Sequence, residues 1–160
     1  TYFKMKQSIL FLNIVLAGLI AGIVFGIWIG YNPQDLSAET YVEQQQNAIR
    51  HLNVIMPILG FISMLLALAS AAISKEDKVM RNLLLLAVAL FIVSGLVTRF
   101  GNQPINAVVI TWDPRNTPEI WIELRDKWWT FHIIRTITTL IGFAIIVWAT
   151  VRNKATSTSV

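Results

Sequence analysis

The chain has 160 residues, 55% of them hydrophobic and only 14% charged, with a mean hydropathy of +0.60. A soluble domain carries roughly 25% charged residues and could not bury this much apolar surface, so the composition excludes one and points to a polytopic membrane protein. Without cysteine there are no disulfides, thiolate metal sites, iron–sulfur clusters or c-type haem attachment, and a net charge of +4 with scattered Lys and Arg leaves no nucleic-acid footprint.

Residues 1–4 precede the first methionine and are set aside as a cloning remnant. Residues 5–154 are expected to form a single membrane domain, with 155–160 as a polar tail. A bilayer core needs roughly 20 apolar residues in a helix. The run Gln7 to Gln34 carries no charge and predicts a first span at about 8–31. It is too long for a signal-peptide core and lacks a small-residue cleavage site, so it is read as retained. Gly18, Gly22, Gly26 and Gly30 recur along it at four-residue spacing, flanked by Ala17 and Ala21. Such a ridge lets another helix approach closely. It is expected to pack inside the protomer, with a homodimer seam or a flat ligand as alternatives.

Asn32-Pro33 ends this helix, and Asp35 or Ser37 can cap the next. Nothing breaks helical propensity from Ala38 until Pro57. The second helix is therefore expected to start well above the membrane and run into a span at about 52–74. A third span is predicted at 79–98. After it, Gly101, Pro104, Pro114 and Pro118 predict an irregular or short-helical stretch from Arg99 to Lys127. Trp112, Trp121, Trp128 and Trp129 in or beside this stretch are interface side chains. The fourth span, about 129–151, is interrupted only by Arg135.

Four spans place both termini on one side. That side has seven basic and two acidic residues, a net of +5; the other has six and seven, a net of −1. By the positive-inside rule the termini are cytoplasmic. The expected fold is all-α: a four-transmembrane-helix antiparallel bundle with a helical extension and irregular segments on the extracytoplasmic side. The expected location is the cell membrane, multi-pass, a bacterial inner membrane in the first instance.

Arg135 is the sharpest single signal, since charge inside a span usually faces a cavity or partner. Trp128, His132, Arg135 and Thr139 align as one stripe at helical spacing. Arg135 could instead pair with a carboxylate such as Glu43, or snorkel to the interface. His51 and His132 fall at similar depth. They could be axial ligands of a b-type haem, His132 could be a general base, or each could be an interface histidine. No other metal site is expected. The stretch Arg99 to Asn106, rich in amides and turn formers, is either a turn satisfying its own backbone or a polar lid. His132 and Arg135 are expected to line one polar cavity, with Arg99, Asn102 and Asn106 over its mouth. The Gln44–Asn53 stretch supplies acceptors at that depth.

These residues resemble the anthrone oxygenase-like family of small four-helix integral membrane proteins. The resemblance covers nearly the whole chain. It rests on the Gly-rich first helix, the Gln-rich entry through Asn53 and Met56-Pro57, and Asn102, Pro104 and Asn106. It continues through Trp112, Trp121, Arg125, Trp128 or Trp129, His132 and Arg135. It implies oxidation of an anthrone carbon to a quinone carbonyl by dioxygen without a classical cofactor. For such chemistry His132 would be the base and Arg135 the electrostatic partner. Asn102 and Asn106 would donate to the substrate oxygen, and Trp121 and Trp128 would be ring-stacking walls. Arg99, His51 and Asn53 complete the expected substrate contacts. The expected partners are the lipid bilayer and a small lipophilic or aromatic ligand, with a homo-oligomer as a further option. No cofactor is expected, haem b being the alternative. The competing functional class is a non-enzymatic carrier of a lipophilic ligand or haem, or a subunit of a larger membrane complex.

Overall fold

A computed structural model describes the backbone of residues 2–157 and the side chains of residues 5–152; the side chains of the expected remnant and tail lie outside this range. The described residues are helical and contain no strand. Helix α1 spans Tyr2–Gly30, an apolar run with nothing to break it before Asn32-Pro33. There the Asn32 carboxamide accepts from the Gln34 N–H at 3.2 Å and donates to Asp35 at 2.9 Å. Of the two expected caps, Ser37 serves: its hydroxyl accepts from the Thr40 N–H at 3.3 Å and opens α2, Ala38–Leu52.

Helix α2 does not run into the membrane as one rod. It ends at Leu52, and α3, Ile55–Ala72, begins after a break at Asn53-Val54. Pro57 is the reason, because it has no N–H to offer the carbonyl four residues back. The Asn53 carbonyl accepts instead from Gln103 Nε2 at 3.5 Å. After α3, Asp77 accepts from the Met80 N–H at 2.9 Å and starts α4, Lys78–Val97. That bond, reinforced by Arg152, holds the Asp77 carboxyl below the usual range although desolvation opposes it.

The stretch from Arg99 to Asn106 is not a loop. Helix α4 passes through a π turn, Thr98–Asn102, into α5, Gln103–Val109. Gln103 N–H reaches the Thr98 carbonyl, five residues back, and Pro104 brings no donor to the next turn. The 3-10 turn Pro114–Asn116 then leads to α6, Trp121–Ser157. Thus α6 begins eight residues before the expected start of the fourth span at residue 129, and Trp121 shares one helix with His132 and Arg135.

Four segments are long and apolar enough to cross a membrane: Met5–Asp35, Ile55–Ala72, Lys78–Val109 and Trp121–Arg152. The chain is a multi-pass membrane protein. Helix α1 packs on α3 and α6, and α4 on α3 and α6, closing a ring. Tyr31 meets Trp128, Val24 meets His132 and Gly18 meets Phe143, so α1 and α6 run in opposite directions. Arg152 pairs with Asp77 at 3.4 Å, which sets α6 against α4 in the same way. At the end bearing the termini the hydrophobic core is built on small residues, with Ala17, Ala67, Ala71, Ala87 and Ala149 around Leu84 and Ile146. The opposite end is aromatic, with Tyr41, Trp128 and Trp129 around Val109.

The glycine ridge of α1 does not pack as expected. Gly18 abuts Phe143, but Gly22, Gly26 and Gly30 are exposed, and a Cβ on any of them would meet nothing within 4 Å. The inward face of α1 is carried by Ala17, Ala21 and Val24. The glycine that closes the bundle is Gly101, where a Cβ would lie 2.6 Å from the Phe131 ring. Only a bare backbone lets α6 sit against the π turn. Gly101→Ala should therefore lower stability by about 1–3 kcal/mol through overpacking, read as a drop in detergent melting temperature. Gly22→Ala should leave it unchanged, and an equal effect of both would refute the assignment.

Candidate functional site

Between the alanine-rich end and the aromatic end lies a cavity of about 360 Å³, within the ~300–1,000 Å³ range of small-molecule sites. Its polar lining comes from every layer of the fold: Tyr31 follows α1, Gln44, Gln45 and Asn47 stand on α2, and Asn53 occupies the break before α3. Thr98 opens the π turn, Asn106 stands on α5, and Trp128 and Arg135 stand on α6. Val24, Ile27, Ile49, Leu52, Met56 and Pro57 supply the apolar part.

Asn106 is the hub of the polar wall. Its Oδ1 accepts from Trp128 Nε1 at 2.9 Å and from Gln45 Nε2 at 3.1 Å. Its Nδ2 donates to Asn53 Oδ1 at 2.8 Å. Gln45 Oε1 in turn accepts from the Tyr31 hydroxyl at 3.3 Å. Five segments are thereby tied by neutral groups, each donor with an acceptor, as a buried polar network requires. Gln46 works behind the wall. Its Nε2 donates to the carbonyls of Val109 at 3.1 Å and Trp112 at 2.8 Å, satisfying the end of α5.

Arg135 enters this chamber from α6, half-buried. Its Nε and Nη2 approach His132 Nδ1 at 3.1 and 2.9 Å. Guanidinium nitrogens only donate, so Nδ1 is the accepting, unprotonated nitrogen. His132 Nε2 faces the Val24 carbonyl at 3.2 Å. A carbonyl only accepts, so Nε2 carries the proton. One neutral tautomer satisfies both contacts. The ring is stacked on Trp128 at 5.2 Å and on Trp129 at 5.4 Å, nearly parallel to both. Trp128 also lies under the guanidinium, 5.7 Å from ring centre to Cζ. Among the described residues no carboxylate reaches Arg135 within ion-pair distance; Glu43 does not serve.

The expected site residues divide accordingly. Arg135, Asn53, Asn106 and Trp128 line the chamber together. His132 is fully buried behind Arg135 and touches neither cavity. With both ring nitrogens engaged it offers no lone pair to a substrate, so the general-base role does not fit. Asn102 is also fully buried; its Nδ2 donates to the Trp128 carbonyl at 3.0 Å, which fixes α6 against the π turn, and its Oδ1 has no partner. Arg99 is exposed, bonds Gln103 at 3.4 Å and lines a neighbouring cavity. Trp121 belongs to the aromatic roof, 5.9 Å from Tyr41 and under Arg125 at 4.8 Å. His51 is exposed and lines neither cavity. A haem ligated by His51 and His132 does not fit, because His132 has no free nitrogen. No cluster of three His, Cys, Asp or Glu side chains suited to a metal occurs among the described residues. Tyr31 and Thr98 are lining residues that the sequence did not single out, whereas Gln45 lies in the Gln44–Asn53 stretch expected to supply acceptors.

A family model described as Anthrone oxygenase matches residues 46–145. The matched segment contains Asn53, Asn106, Trp128, His132 and Arg135, but not Tyr31, Val24 or Gln45. No curated protein and no solved structure matches the chain.

Replacing Asn106 by Ala strands the donors Trp128 Nε1 and Gln45 Nε2 at once. At about 1–3 kcal/mol for each buried group left unpaired, the variant should be destabilised by several kcal/mol in a detergent melt. A loss comparable to a surface substitution would show that the wall is held by something else.

Proposed function

The chain belongs to the anthrone oxygenase family, and from that premise we propose that it oxygenates a lipophilic aromatic carbon acid held in the chamber at Arg135. The single observation carrying this reading is a half-buried guanidinium that faces a ligand-sized cavity and is held by a neutral imidazole instead of a carboxylate. No carboxylate among the described residues neutralises its charge, which leaves it available to an anion.

The chemistry this supports starts with an aromatic ketone carrying an acidic methylene. Loss of a C–H proton leaves an enolate whose charge rests on oxygen. Arg135 would hold that oxygen, with the amide network shaping the wall and Trp128 flanking the ring. An opposite charge about 4 Å away at an effective dielectric near 20 is worth roughly 4 kcal/mol, which moves the ionisation by about a thousandfold. Among the lining residues of the chamber there is no carboxylate and no histidine. The proton therefore leaves to water at the mouth beside Gln44 and Asn47, and no side-chain base takes it. The carbanion passes an electron to dioxygen, the resulting pair joins as a carbon-bound peroxide anion, and a proton from water makes it the hydroperoxide. That hydroperoxide loses water and leaves the quinone carbonyl. The substrate supplies the electrons, and the reading invokes no resident cofactor. His132 acts as a positioning residue for Arg135.

Dioxygen uptake by detergent-purified protein with anthrone as probe tests this. Arg135→Leu should lower turnover by about 10²–10³, the usual cost of one oxyanion donor. His132→Phe keeps a ring but removes the acceptor for Arg135. His132→Asn restores an acceptor and should recover part of the rate, which a general base could not do. Full activity in Arg135→Leu would overturn the assignment. The missing side-chain base favours one second reading, a carrier of anionic lipophiles. Saturable anthrone binding without dioxygen uptake would establish that instead.

The charge difference between the two ends supports cytoplasmic termini, with the chamber opening toward the extracytoplasmic side. Because the chain lacks cysteine, single cysteines report cleanly. Thr117→Cys should react with an impermeant maleimide added outside sealed cells and Lys75→Cys should not; the reverse pattern would invert the topology.

A further inference from the structure

A second cavity of about 340 Å³ adjoins the chamber, and Val24, Met56, Pro57, Thr98 and Arg135 line both. Part of its lining is polar: Ser94, Thr98, Arg99, Gln103 and Thr139. The rest is apolar, with Gly60, Phe61 and Met64 from α3 and Ile92, Gly95 and Leu96 from α4. Phe61 is 58% exposed, Ile92 46% and Leu96 51%. These cavity walls thus belong to the outer surface as well, and the cleft opens sideways between two apolar spans. Glycines on facing helices ordinarily let the backbones touch. Here a Cβ on Gly60 or Gly95 would meet nothing within 4 Å. The absent side chains leave a gap, and in a bilayer a gap with these walls is filled by hydrocarbon.

The geometry points to a lateral portal for a single-tailed acidic amphiphile of the lipid phase. Its oxygen-bearing head sits at Arg135 and its hydrocarbon tail lies in the cleft between α3 and α4. Two observations carry this. Arg135 lies at the junction of both cavities, so one molecule bound there reaches from the polar chamber into the cleft. The only cation common to the two is held by a neutral partner, which selects an anionic head. This rests on the reading of Arg135 as the anion holder and adds to it that the natural substrate class is an aromatic acid or carbon acid bearing one long apolar chain. Such a molecule enters from the membrane and need not cross water.

The test uses the full chain in phosphatidylcholine nanodiscs and a fatty acid carrying a mid-chain diazirine. Photolabelling of the wild type, mapped by mass spectrometry, should concentrate on Phe61, Met64, Ile92 and Leu96. Gly60→Leu combined with Gly95→Leu puts side chains where a Cβ would meet nothing within 4 Å, and cleft labelling should fall at least tenfold. Gly22→Leu, an equally open glycine of α1 outside both cavities, should leave labelling intact. Arg135→Leu, or use of the uncharged methyl ester, should also lower it at least tenfold. Labelling spread evenly over the lipid-facing surface, or indifferent to the glycine pair, would overturn the portal. Wild-type anthrone turnover reads the chamber separately. Turnover without cleft labelling sinks this inference and leaves the oxygenase reading; cleft labelling without turnover does the opposite.

Discussion

A guanidinium inside an apolar span must be given acceptors, and in this protein the nearest one is a neutral imidazole. That choice constrains much of the surrounding structure. To accept from Arg135 through Nδ1, His132 must carry its proton on Nε2, and that proton needs a carbonyl. Val24 of α1 supplies it at 3.2 Å. Helix α1 is thereby registered against α6 at the level of the chamber. The stacking of His132 on Trp128 and Trp129 then holds the imidazole plane, and with it the direction of the guanidinium. An acidic partner would have satisfied Arg135 as well, but it would also have cancelled its field.

The same economy of charge runs through the wall opposite. Tyr31, Gln45, Asn53, Asn106 and Trp128 bond to one another without an ionised group among them. Amides suit this task because each is both donor and acceptor, so a closed network needs no counter-ion. It leaves one uncompensated charge in a low-dielectric space, where its effect on a bound anion is largest. The chain places its acidic residues outside the chamber, at helix starts and on the roof. Asp77 caps α4, and Asp126 pairs with Arg125 at 2.9 Å.

The two ends of the bundle divide the work. Alanines at the terminal end let the helices approach closely around Leu84 and Ile146. At the other end the break at Asn53-Val54 and the π turn at Thr98–Asn102 hold the helices apart. A π turn is a common device at functional sites because it redirects the side chains that follow it. Here it brings Asn102 to the backbone of α6 and Asn106 into the cavity. Gly101 admits the Phe131 ring at the same turn, so the distortion is packed and not merely tolerated.

Composition and charge determined the class of this protein. Hydropathy is a sum over residues, and four apolar runs of membrane length suffice for an all-helical, four-span chain whatever their neighbours. The site was legible in part for the same reason. A charge within a span is anomalous wherever it packs, and His132 and Arg135, three residues apart on a helix, must share a face. What the sequence could not decide is which groups satisfy which. The roles of His132 and Asn102 turned on a carbonyl of α1 and a backbone oxygen of α6, distant in sequence, and one-dimensional spacing does not encode such distances. The second helix was read as continuous into the membrane and the stretch around Pro104 as irregular, yet the chain breaks at Asn53-Val54 and stays helical through the π turn into α5, where Gly101 admits the Phe131 ring. The glycine ridge of α1 carried the same ambiguity: spacing shows that a face is smooth, and only the packed bundle determines whether that smooth face meets a helix or lipid.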